Sequence, residues 1–175
     1  CLLVLHFTEC LGVSNMFGFG KTKLSSQAFC NDQWIKITSP ERKSIWRAFV
    51  EQSNDVALKD ADFDKLCDVM IAAYSQFLRS TVIKTQGMHS DAVMDFYICI
   101  SGKKDELNPS IEDYSSIFNK TWGSISSGDK MMDMVSAFEI CMDVSLQQST
   151  RKQLSMEFFT LISSMEDILS KIKLV

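Results

Sequence analysis

After Cys30, apolar positions recur at spacings of three and four between short polar joints, which is the pattern of amphipathic helices rather than of strands. Thr38-Ser39-Pro40-Glu41 reads as a helix start: a hydroxyl cap, proline in the first turn and an acid that complements the helix dipole. That helix carries Ile45, Trp46, Phe49 and Val50 and ends near Ser53-Asn54-Asp55. A longer one begins around Asp60, runs Phe63, Leu66, Cys67, Met70, Ala73, Tyr74, Phe77 and Leu78 along one face, and stops between Thr85 and Gly87.

Ser90-Asp91 caps a third helix with Val93, Phe96, Cys99 and Ile100, closed by Gly102. Asn108-Pro109 starts a fourth, with Ile111, Tyr114, Ile117, Phe118, Trp122 and Ile125 in register. After Ser126-Ser127-Gly128-Asp129, a fifth runs from about Lys130 through Met134, Val135, Phe138, Cys141 and Met142. Ser149-Thr150 opens the last, whose stripe is Leu154, Phe158, Leu161, Ile162, Met165, Ile168, Leu169 and Ile172. Six such patterns without an alternating strand run predict an all-α, single-domain bundle of about five to six helices over residues 15–175. The short joint between the last two predicts an antiparallel hairpin.

The first 14 residues break this pattern. Leu2 to Phe7 is apolar, and Gly12 and Ser14 fit a small-x-small cleavage site before Asn15. Residues 1–14 therefore read as a truncated signal-peptide-like segment, which predicts a secreted, extracellular protein. No stretch of the sequence reaches the ~18 apolar residues of a membrane-spanning helix.

Six cysteines stand at 1, 10, 30, 67, 99 and 141. If the first two leave with the signal, Cys30, Cys67, Cys99 and Cys141 remain, too widely spaced for a structural zinc site. In a secreted bundle they predict two inter-helix disulfides, each closing a long loop and contributing at most ~4 kcal/mol. Sequence leaves three connectivities open; Cys30–Cys67 with Cys99–Cys141 is favoured because each pair joins neighbouring elements. The alternative is four buried thiols packed as small hydrophobes. Asn119-Lys120-Thr121 adds a candidate N-glycosylation site at Asn119, whereas Asn108-Pro109-Ser110 is blocked by its proline.

Composition narrows the functions. With 18 basic and 22 acidic residues, the net charge of −4 disfavours nucleic-acid binding. The chain holds 2 histidines, and the neighbours His89, Ser90 and Asp91 are too close in sequence to converge as a triad. Gly18-Phe19-Gly20-Lys21-Thr22 ends like a phosphate-binding loop, but Asn15 stands where the first glycine belongs. Asp60, Asp62 and Asp64 imitate a calcium loop, yet Lys65 replaces its glycine and Ile71 its final glutamate. No metal, cofactor or catalytic group is expected.

Helical cytokines and helical carriers of lipids or odorants are of this general type, but no motif ties the chain to either. The reading that results is a secreted, non-enzymatic helical domain that binds another extracellular protein as an effector or ligand would. The alternative rests on 10 methionines and 12 phenylalanines. In it the bundle carries a small apolar molecule such as a fatty acid, held by Phe138, Met142, Phe158 and Met165.

Overall fold

The computed structural model describes residues 21–87, 110–124 and 130–175. Among them are seven helices and two three-residue strands. Strand β1 (Thr22–Leu24) leads into α1 (Ser26–Thr38), α2 (Pro40–Gln52), the single turn α3 (Val56–Lys59) and the long α4 (Phe63–Gln86). Then come α5 (Ser110–Ser124), α6 (Lys130–Met142), α7 (Gln148–Lys171) and β2 (Ile172–Leu174). Among the described residues, no helix is long and apolar enough to cross a membrane.

Local chemistry explains most helix ends. The Ser39 hydroxyl accepts from the Arg42 N–H at 3.1 Å, with Pro40 in the first turn. The Asp62 carboxylate accepts from the N–H groups of Asp64 and Lys65 at 2.9 and 3.3 Å. Asp62 therefore caps α4, the arrangement that favours acids at a helix start. At the other end Gly87, with φ +88°, donates to the Ile83 carbonyl and stops the helix.

Helix α4 is the axis of the bundle and packs against α1, α2, α5, α6 and α7. Its apolar positions cover more than one face, so Val69, Ala72, Ala73, Phe77 and Val82 are almost wholly buried. Phe77 sits at the centre, edge-on to Phe158 of α7 at 5.1 Å and tilted against Trp122 of α5 at 5.8 Å. Phe118 and Phe138 complete the largest buried side chains. Helices α6 and α7 pack together, as their short connection predicts.

The all-helical bundle stands, but three expectations need correction. Neither α1 nor the single turn α3 was expected, although Phe29, Cys30, Trp34 and Ile37 of α1 are buried at helical spacing; exposed Ile35 blurs the apolar face of α1. Ile172, expected on the last helical stripe, lies in a strand. There β2 runs parallel to β1 with Thr22 opposite Ile172 and Leu24 opposite Leu174. The predicted helix over residues 90–102 lies outside the described residues.

The third correction concerns the disulfides. Cys30, Cys67 and Cys141 are reduced thiols, all buried. They stand on three different helices. Cys67 feels the charges of Lys43, Asp64, Asp68 and Arg47, and Cys141 that of Lys65. A disulfide needs the two Cβ atoms within about 4.5 Å; here each sulfur fills space in the core as a small hydrophobe instead. Cys30–Cys67 is therefore not a bridge, and Cys141 is not cross-linked. Cys99 lies outside the described residues, as does the signal-like segment 1–14. The cysteine frame no longer argues for an oxidising compartment.

Candidate functional site

Helices α2 and α7 flank α4 and leave a groove between them. Its floor comes from one face of α4, where Met70, Ala73, Tyr74 and Phe77 recur at helical spacing. Trp46 and Arg42, four residues apart on α2, form one wall with Ile37 of α1. Phe158 and Leu161 of α7 form the other, with Glu157, Thr160 and Ser164 beside them. The small side chain of Ala73, in the middle of the floor, leaves the groove its depth.

The lining is largely apolar, but three ionisable groups border it. Burial is the main influence on each. Arg42 is 8% exposed, and desolvation lowers its pKa, with the Tyr74 side chain acting the other way. Burial pushes the Tyr74 hydroxyl well above its ordinary value, so it stays protonated and donates to Gln33 Oε1 at 2.5 Å. The Gln33 amide in turn donates to Asp32, which also pairs with Lys36 at 2.7 Å. Burial raises the Glu157 carboxyl as well. Tyr74 thus ties α4 to α1 through Gln33.

The groove's cavity volume is small, about 40 Å³. A water needs about 10–15 Å³ measured this way, so the groove holds a few waters or the end of one side chain. Two other depressions are larger, about 560 Å³ around Glu139, Ile140 and Arg151 and about 420 Å³ around Arg47, Leu58 and Phe63. The first lies open to solvent, and the second is about as open as the groove itself. Among the described residues, no group of three or more His, Cys, Asp or Glu side chains could hold a metal ion.

The residues expected to hold an apolar ligand divide. Phe158 borders the groove. Phe138, Met142 and Met165 lie elsewhere in the continuous core, at 1%, 4% and 2% exposure. Met142 also presents its carbonyl to Lys65 Nζ at 3.2 Å. Asn119 is exposed on α5, while Thr121 of the same triplet bonds its hydroxyl to the Ile117 carbonyl at 2.9 Å. Sequence reasoning placed Trp46, Tyr74 and Leu161 in the core and overlooked Arg42. The available signal was Arg42 four residues before Trp46, a cation on the apolar face of α2.

Comparison with known proteins finds no matching family model, no similar curated protein and no similar solved structure. The functional reading therefore rests on the groove and on the sequence.

Proposed function

We propose that the chain is a non-enzymatic helical binding domain that acts outside the cell on another protein, and that the α2–α7 groove receives an apolar side chain of that partner. One observation carries the reading: an apolar-walled groove bordered by Trp46, Phe158 and Leu161 whose cavity volume is about 40 Å³. Pockets for drug-sized ligands commonly reach several hundred Å³, and an acyl chain would have to displace core side chains to enter. A partner's anchor residue enters such a notch from outside, where Trp and neighbouring aliphatic groups make strong contacts. The signal-like residues 1–14 and the exposed Asn119 support the extracellular setting.

A displayed random-peptide library selected on the full chain tests the groove. Selected peptides should share one large apolar anchor and lose binding to Leu161→Glu, while a fluorescent fatty acid shows no saturable uptake. Peptides indifferent to Leu161→Glu would remove the groove from the reading. Saturable fatty-acid uptake abolished by the same variant would put the carrier ahead. Expression with the native start in a secretory cell tests the setting: the protein should reach the medium with a glycan that Asn119→Gln removes.

A further inference from the structure

The two-stranded sheet has two outer edges, and the fold treats them differently. The outer edge of β2 is occupied by the Gln86 side chain. Its amide nitrogen donates to the Leu169 and Ile172 carbonyls at 3.0 and 3.3 Å, and its oxygen accepts from the Leu174 N–H at 3.3 Å. That amide stands in for a third strand. The outer edge of β1 has no such cover among the described residues. Val175 N–H donates to the Leu24 carbonyl at 2.9 Å, so Leu24 faces β2. Strand residues alternate in the edge they face, and Lys23, exposed, must present its N–H and C=O outward.

Three lysines stand on this sheet without an acidic partner among the described residues. Lys23 lies in register beside Lys173, and both are exposed, as is Lys21. Like charges side by side on a sheet destabilise it. Nearby lysines have acidic partners, Lys84 with Glu166 and Lys171 with Asp167, each at 2.6 Å. Lys21, Lys23 and Lys173 make no ion pair among the described residues. Lysine on a short edge strand repels a second copy of the same strand, and an apolar strand would have to desolvate its ammonium group. It leaves an acidic strand as the complementary occupant.

We propose that the outer edge of β1 is a docking site for an extended acidic segment of a partner protein, which adds a third strand through the Lys23 backbone and pairs its carboxylates with Lys21, Lys23 and Lys173. Main-chain bonds then give affinity and the lysines give selectivity. The site is independent of the α2–α7 groove.

The test uses the full chain, an eight-residue peptide of alternating glutamate and valine, and its lysine–valine counterpart, followed by backbone NMR and amide exchange. The acidic peptide should bind saturably, less tightly at higher salt, and should slow exchange of the Lys23 N–H. Lys23→Pro removes the outward N–H without touching a β1–β2 bond and should weaken binding by roughly tenfold or more. The double variant Lys23→Glu, Lys173→Glu, which needs no backbone change, should prefer the lysine peptide. Absence of saturable binding, equal binding of both peptides, or unchanged affinity in Lys23→Pro overturns the proposal. A reversible dimer of the chain that Lys23→Pro abolishes would overturn it in favour of self-pairing.

Discussion

The Asp55 carboxylate accepts a hydrogen bond from the Gln147 N–H at 2.6 Å, joining residues 92 apart in sequence. Its other oxygen accepts from the Leu58 N–H at 3.4 Å, so one buried acid caps the short α3 and holds the entry to α7. Gln147 has no side-chain cap bond of its own; the acid arrives from across the bundle.

Asp55→Ala should therefore cost more than an ordinary cap. It leaves the buried Leu58 N–H and the part-buried Gln147 N–H without their acceptor, which predicts a loss of about 2–4 kcal/mol. Urea unfolding of the variant measures it, and a loss below that of a surface acid such as Asp167→Ala would contradict the cross-link.

The turn between α6 and α7 has a second lock. Glu139 accepts from the Leu146 N–H at 2.8 Å and pairs with Arg151, which also donates to the Ser136 hydroxyl at 3.1 Å. Both partners are substantially shielded, at 12% and 27% side-chain exposure. A double-mutant cycle of Glu139→Gln and Arg151→Met should give a coupling of about 1–2 kcal/mol, above that of the exposed Lys171–Asp167 pair.

Gln86 makes its three bonds to the end of α7 and to β2 from a half-buried position. Gln86→Leu should cost about 1–3 kcal/mol and accelerate exchange of the Leu174 amide before that of the α4 core. Uniform exchange at both places would mean that the amide does not hold the edge.

Phe158 serves both the core and the groove. Truncation to Ala removes its edge contact with Phe77 and should cost about 3–5 kcal/mol. Leu161, half-buried on the groove wall, should tolerate Glu with a small loss of stability. Equal damage from the two would place Leu161 in the core proper.

The buried thiols give a pH and reagent signature. Burial raises the Cys141 thiol from 9.0 to about 11, against a smaller opposite pull from Lys65. Because the unfolded thiol ionises first, its contribution to stability is full below pH 9 and is lost as pH rises toward 11. Cys141→Ser should flatten the decline of stability in that window. In native protein the thiols of Cys30, Cys67 and Cys141 should be labelled slowly by a thiol reagent at pH 8, read by peptide mapping of the labelled chain.

Much of the helical layout was legible because its causes are local. The Ser39-Pro40 start, the Asp62 cap and the stop at Gly87 each act within about one turn. The stripe from Leu66 to Leu78 marks one buried face of α4, but Val69 and Ala72, off that stripe, are buried as well because helices pack on more than one side of α4. The groove was less legible. Trp46, Tyr74 and Phe158 look like core residues in sequence, and nothing local says that α2 and α7 stand apart over Ala73.

The sequence by itself determined an all-helical chain, most helix ends and which faces turn inward, because each follows from propensity and periodicity over a few residues. The tertiary structure alone decided that Cys30, Cys67 and Cys141 stay thiols, since bonding depends on which sulfurs meet and not on how many there are. It also decided that residues 22–24 and 172–174 become strands. Three residues carry too little pattern to specify a strand, and their hydrogen bonds exist because packing around α4 brings the two segments together.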